Sequence, residues 1–235
     1  MTTINDFCFP VRDLSDDLVK LTPFDPAKHA GPYFRGSKHH PELYNYMSIG
    51  PFATEHDFIS KFVRGFMSQP SVACFAVIDK KKPASEADSE GELAGMVSYM
   101  SASAVHLSAE VGYIIILPPY QRTHVTTHAV GLLLHYALDS PKEGGLGLRR
   151  MQWLADPPNK ASLAAAQRMG FQLEGVLRWN RVVPDAEARG KVHNGREGPP
   201  YGETKDRGRD TAYLSLCWDD WIGEKREVVD TLLRR

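Results

Sequence analysis

A mixed α/β (α+β) fold is predicted by three observations: a mostly antiparallel twisted sheet with a central βαβ unit and helices on both faces. The first is the stretch Glu110 to Leu138, where β-branched and aromatic residues (Val111, Tyr113, Ile114, Ile115, Ile116) stop at Pro118-Pro119. After a short loop the apolar period becomes that of a helix, so a buried strand feeds a helix. The second is a pair of strand-like runs upstream, Val72 to Asp79 and Glu92 to Met100, which with the central strand make an antiparallel meander. The third is LRRMQWLAD, Leu148 to Asp156, where strand composition returns after the helix. Strand, helix and strand at this spacing form a βαβ unit whose two strands run parallel. The alternation continues with no internal repeat and no second glycine-rich break, so residues 1–235 read as a single domain.

In chain order, a short strand is expected at Leu18 to Leu21, ended by Thr22-Pro23, and helical pieces follow between Pro26 and His40. A helix from about Thr54 to Met67 has Thr54 as N-cap and sets Phe58, Phe62 and Phe66 four residues apart, a stripe that reads as core. The polar linker KKPASEADSEG joins the first two strands of the meander as a long surface loop. After Asp156-Pro157-Pro158-Asn159, the alanine-rich KASLAAAQRMG reads as a short helix with Gly170 at its C-terminal cap. Phe171 to Val183 is one strand, or two pieces broken near Gly175. Residues 184–209, rich in glycine, proline and charge, read as a long flexible loop. Thr211 to Trp218 is a strand, and from Asp219 an amphipathic helix is expected to turn Trp221, Ile222, Val229 and Leu232 inward.

Composition narrows the function. With 42% hydrophobic and 24% charged residues, 235 residues can bury a substantial core. Twenty-eight basic against 29 acidic side chains leave a net charge of −1, which advertises neither a nucleic-acid surface nor a polybasic membrane patch. No stretch has the length of a membrane span, and MTTINDFCFPVRDL has no apolar core of signal-peptide length, so a cytoplasmic location is expected. Cys8, Cys74 and Cys217 are odd in number and far apart, unlike a disulfide framework or a zinc knuckle. A monomer and a homodimer both remain open.

The helix after the central strand begins among Thr123, Thr126 and Thr127, where free backbone N–H groups and the positive dipole end suit an anion such as a phosphate. The order of elements, the motif YQRTHVTTHA, the segment NKASLAAAQRMGFQLEGVLR and the run RDTAYLSLCWDDW together resemble the GNAT acyltransferases, and within them the RimJ/RimL-like N-acetyltransferase branch. The likeness runs from Leu18 to Trp221, and is strongest where Asn159, Ser162, Gly170-Phe171 and Glu174-Gly175 stand in the family's spacing. The first motif departs from the broad pattern: Gln121 and Arg122 are present, but His124 and Thr126 stand at the glycine positions.

The resemblance implies acetyl-CoA as co-substrate, its pyrophosphate held by the backbone of Arg122, Thr123, His124, Val125, Thr126 and Thr127, beside Gln121. Pantetheine would run along Ile115, Ile116 and Leu117, with Asn159 bonded to it and Ser162 near the sulfur. Many relatives place a tyrosine as general acid four residues before the helix-ending glycine; Ala166 stands there, which leaves Ser162 or water for that step. An amine acceptor is mostly protonated near neutral pH, so attack on a thioester needs a base. Glu110, opening the central strand beside apolar residues, is the first candidate for it, although a plain strand-end glutamate would look the same. Asp156 is a second candidate, and Asn159 and Ser162 also read as an ordinary helix cap.

The expected function is transfer of an acetyl group to a primary amine, a small molecule or a peptide amino terminus, with no metal. A catalytically silent acyl-CoA-binding module of the same fold is the alternative, favoured by the altered glycines and the missing tyrosine. His124 and His128 stand at i and i+4, but the glutamate of a zinc-protease motif is absent, since Val125 follows His124. The acceptor pocket is expected from the early helices and from the loop at 184–209, covering the acceptor site.

Overall fold

The computed structural model describes residues 7–201 and 206–234. Eight strands form one sheet: β1 (Leu14–Ser15), β2 (Val19–Pro23), β3 (Ala73–Asp79), β4 (Glu92–Ser103), β5 (Ser108–Ile116), β6 (Arg150–Ala155), β7 (Gln172–Val183) and β8 (Arg207–Cys217). Their spatial order is β1-β2-β3-β4-β5-β6-β8-β7, and every neighbouring pair is antiparallel except β5 with β6. That exception is the predicted βαβ unit. The helices are α1 (Pro26–Ser37), α2 (α over Glu55–Asp57, then π over Phe58–Phe66), α3 (Val125–Leu138), α4 (Lys160–Arg168) and α5, which runs α, π, α over Trp218–Asp220, Trp221–Lys225 and Arg226–Leu233. No helix among the described residues is long and apolar enough to cross a membrane.

Helices cover both faces of the sheet. Tyr99 of β4 donates its hydroxyl to the Leu133 carbonyl of α3, whereas Cys74 of β3, whose side chain must point to the other face, lies beside Tyr33 of α1. Helix α3 is apolar almost all round: Val125, Ala129, Val130, Leu133, Leu134 and Ala137 are fully buried, because sheet lies on one side and α5 on the other. On the opposite face Phe58 and Phe62 of α2 are buried and stacked, as the core-stripe reading requires, and Phe66 continues the stack toward β5. Thr54 caps α2 through Asp57 N–H, while Asp25 caps α1 through Ala27 N–H.

Two expectations about the end of the chain change. Trp221 and Val229 are buried, but Ile222 is 69% exposed. The π turn at Trp221–Lys225 spends an extra residue per turn, so the inward stripe that a uniform 3.6-residue period predicts falls out of phase at Ile222. Within the segment read as a flexible loop over 184–209, residues 189–192 are held against the turn after α1. Lys191 Nζ donates to the carbonyls of Tyr44 (2.7 Å) and Ile49 (2.6 Å), Val192 N–H to Asn45, and Arg189 to Ser48. Strand β8 also begins earlier than the sequence indicates, at Arg207.

Candidate active site

The sheet opens at its centre. Strands β5 and β6 pair only at Ser108 with Arg150, Ala109 with Met151 and Glu110 with Gln152. Beyond Glu110 the two strands part, and a cleft of about 1120 Å³ occupies the gap, walled by β5, β6, α4, the start of α3 and the turn after α1. Two features hold β5 away. Its pairing with β4 steps from Gly112 opposite Ser98 to Ile115 opposite Met96, so one extra residue bulges out, with Tyr113 at φ 46°. The close approach of β4 at Gly95 allows no side chain, since a Cβ there would lie 2.2 Å from the Ile115 carbonyl oxygen.

The structure brings most of the expected site residues to this one cleft. Ile115, Ile116, Gln121, Arg122, Thr123, Thr126, Thr127, Asn159, Ser162 and Glu110 all line it. Leu117, His124 and Val125 do not. Leu117 and Val125 are buried in the core, and the His124 ring turns away to Asp79 (Nε2 to Oδ1, 3.1 Å). The altered glycine positions prove compatible with the turn: His124 has φ −61° and Thr126 lies within α3, and the left-handed residue of the loop is Arg122, φ 60°. The N-cap residue of α3, His124, makes no side-chain cap bond, and Thr123 Oγ1 accepts only the Val125 N–H, at 3.3 Å. The first turn of the helix therefore presents backbone N–H groups and the positive dipole end at the cleft, the local chemistry of an anion site. Gln121 fixes the approach to this turn by donating Nε2 to the Ile116 carbonyl at 2.9 Å.

On the opposite wall, Asn159 is the N-cap of α4, its Oδ1 accepting the Ser162 N–H at 3.1 Å. The capping role and the place in the cleft hold together. Trp153 Nε1 donates to Ser162 Oγ at 2.9 Å. With a lone pair so engaged, the Ser162 hydroxyl proton is left to point at another acceptor, and Oγ–H becomes a donor facing the cleft. Ala166 is fully buried and brings no phenol to this wall.

Glu110 sits at the apex, where the two strands separate. It is 6% exposed, and burial raises its pKa against the opposing pull of the Ser101 hydroxyl (3.2 Å) and the positive charges of Arg181 and Arg209. Asp156, at the end of β6, is 2% exposed; burial also raises its pKa, and its Oδ2 has no hydrogen-bond partner. Sequence reasoning missed Tyr113, Arg181 and Arg209, all of which line the cleft. The Tyr113 ring packs against Phe66 (4.3 Å between centroids) and its hydroxyl meets Ser48 Oγ at 3.0 Å. In the sequence Tyr113 looks like one more core residue of a β-branched run, and the arginines belong to segments read as strand and loop.

His124 and His128 lie 5.7 Å apart between ring centroids, and each is engaged by a different carboxylate, His124 by Asp79 and His128 by Asp16 (2.7 Å). They serve as struts between α3 and the β1–β3 edge. The three cysteines form no disulfide.

This geometry, a bulged strand splayed from its parallel neighbour over a helix N-terminus, agrees with comparisons to known proteins. Residues 19–172 match the family model described as an acetyltransferase (GNAT) domain, and the chain belongs to that family. The family is one of acetyltransferases. Among curated proteins it is 33% identical over 87 residues to the uncharacterized N-acetyltransferase YoaA of Bacillus subtilis, and 32% identical over 88 residues to the spermidine N(1)-acetyltransferase of Escherichia coli. Each match takes 37% of this chain, and it spans under half of either relative's length, 46% and 44%. Among solved structures, a probable GNAT-family acetyltransferase from Chromobacterium violaceum is 28% identical, with a TM-score of 0.73 over 92% of this chain and 90% of the other. A spermidine N-acetyltransferase from Vibrio cholerae, solved with CoA and spermine, shares the fold at 15% identity (TM-score 0.60; 88% of this chain, 100% of the other).

Proposed function

We propose that this chain is a cytoplasmic, metal-independent N-acetyltransferase of the RimJ/RimL-like branch, moving an acetyl group from acetyl-CoA to a primary amine by direct attack. The observation that carries this reading is the splay of β5 from β6, which sets an anion-binding helix start, a buried carboxylate and a hydroxyl donor around one gap. The CoA pyrophosphate sits on the first turn of α3, where Thr126 and Thr127 line the cleft and His124 makes no cap bond, and pantetheine follows Ile115 and Ile116 between the parted strands, with Asn159 on its other side.

The chemistry follows from the residues around the gap. Glu110, with its raised pKa, removes a proton from the incoming ammonium, directly or through water. The amine nitrogen then bonds to the thioester carbon, and the carbonyl oxygen gathers negative charge where backbone N–H groups of the bulged β5 lack a β6 partner. When the C–S bond breaks, the nitrogen gives up its second proton, which reaches the thiolate through the Ser162 hydroxyl, whose orientation Trp153 fixes, or through water, so that Ser162 ends as it began. The loop carrying Arg189 to Val192 closes over the acceptor half, since its anchors Ser48 and Asn45 stand in and beside the cleft wall.

Release of free thiol from acetyl-CoA, measured against a panel of primary amines and peptide amino termini, tests the reading. Amine-dependent release supports it; tight CoA binding with no release on any acceptor would identify the silent acyl-CoA-binding module instead.

A further inference from the structure

The two arginines missed by sequence reasoning are placed by a second irregularity in the sheet. Strands β7 and β8 pair at Leu177 with Thr211, and the next pair is Arg181 with Arg209. Three β7 residues, Arg178 to Asn180, thus stand against Asp210 alone, and Trp179 takes φ 52° to make the bulge. The consequence is that two guanidinium groups lie directly opposite each other on one face, and both line the cleft. Like charges so placed repel, and a fold keeps them together at a cost unless an anion lies between.

Other arginines nearby have such an anion. Arg196 pairs with Asp210, Arg207 with Glu187 and Arg150 with Glu174. Among the described residues neither Arg181 nor Arg209 forms an ion pair, and Arg209 Nε is shut off from water with no hydrogen-bond partner. Arg181 is exposed at the cleft mouth and Arg209 is half-buried behind it. The carboxylates facing them across the gap are Glu110 and Asp156, both beyond ion-pair distance, and Tyr113 stands beside Glu110. Once Glu110 has taken a proton from the acceptor its charge is gone, and two guanidinium groups face Asp156 alone.

Resting on the acetyl-transfer reading, we propose that the acceptor is a small primary amine that also carries an oxyanion, a carboxylate or a phosphate, and that Arg181 and Arg209 clamp this group while the amine faces Glu110. The planar fork of a guanidinium matches both oxyanions in a two-point contact. A polyamine would instead bring further positive charge against two arginines, so the spermidine acceptor named for two relatives is disfavoured here.

The test compares matched acceptors by thiol release from acetyl-CoA: β-alanine against its carboxamide, 2-aminoethyl phosphate against ethanolamine, and spermidine. At least one anionic member should exceed its neutral counterpart about tenfold or more in kcat/KM, and which pair shows the gap identifies carboxylate or phosphate. Arg181→Gln should raise the KM for that acceptor about ten- to a hundredfold with acetyl-CoA KM unchanged, and Arg181→Lys should recover part of the loss. Arg209→Gln should do the same; if it fails to fold, the exposed Arg181 position still decides. Neutral amines or spermidine turned over as well as the anionic ones would overturn the proposal, as would variants that move only the acetyl-CoA KM. The clamp can also be read without turnover, because 2-aminoethyl phosphate or β-alanine should raise the melting temperature of the native chain and not of Arg181→Gln. Stabilisation by neither compound overturns the clamp, whereas stabilisation without thiol release from any amine counts against acetyl transfer alone.

Discussion

Replacing Glu110 with Gln separates chemistry from stability at the apex of the cleft. The side chain is 6% exposed, and burial raises its pKa. Because the folded-state pKa lies above the unfolded one, this group's contribution to stability is fully present below the unfolded value, about 4.3, and is lost as pH rises through the folded value. Near neutral pH the charged carboxylate therefore destabilises the fold by about 1.4 kcal/mol for each unit that the pKa is raised. Gln keeps the size and can accept from Ser101 as Glu110 does, so Glu110→Gln should melt at the same temperature as the native chain or higher near pH 7, and lose that advantage in acid. Activity should move the other way. Loss of a general base typically costs about 10²- to 10⁴-fold, so kcat/KM should fall within that range, and the acidic limb of its pH profile, set by this carboxyl, should vanish. Steady-state rates from pH 5 to about 9 with parallel thermal melts measure both. An undiminished kcat/KM with the acidic limb intact would remove Glu110 from the mechanism, and a lower melting temperature near pH 7 would refute the burial argument.

Three further substitutions probe the walls of the site and the frame behind it. Ser162→Ala removes the donor that Trp153 orients, and should lower kcat about tenfold or more with little change in the affinity for CoA measured by calorimetry. Lys191→Met removes two hydrogen bonds that hold the loop against Tyr44 and Ile49; acceptor KM should rise severalfold and protease cleavage within 184–201 should quicken, while acetyl-CoA KM stays constant. Asp139→Ala strips the end of α3 of a carboxylate that accepts from Trp221 (2.8 Å), Arg226 (2.9 Å) and His135 (2.9 Å). Burial alone would raise the Asp139 pKa, but these three donors outweigh it and hold the carboxyl well below the usual range. Its stabilisation is thus present above the unfolded pKa, about 3.9, and is lost as pH falls through the folded value, so urea titrations at pH 7 should show a loss of about 3 kcal/mol.

How far the sequence reaches can be judged element by element. The meander, the βαβ unit and α4 are legible because each rests on local signals: apolar and β-branched runs bounded by turn residues in β3 to β5, the switch to a helical apolar period in α3, and Asn159 as a cap. The same signals brought Glu110, Ser162 and the turn before α3 into one proposed site. What escaped depends on departures from regular period. The bulge at Tyr113 aims a phenol into the cleft from a run that looks like core, and the three-residue bulge in β7 sets Arg181 opposite Arg209. The π turns in α2 and α5 shift a helical stripe by a residue and leave no composition signal, which is why Ile222 was placed inward and is exposed. His124 at a glycine position raised a steric question that the sequence alone leaves open, because the answer lies in its φ of −61° and in Asp79, forty-five residues away.

A crystal structure of the chain with bound CoA decides what fills the gap between β5 and β6. The pyrophosphate should lie within hydrogen-bonding distance of backbone N–H groups between Arg122 and Thr127, pantetheine along Ile115 and Ile116, and the sulfur beside Ser162 and within reach of the space next to Glu110. CoA bound elsewhere, or its sulfur directed away from Glu110 and Ser162, would contradict the proposed function of this cleft.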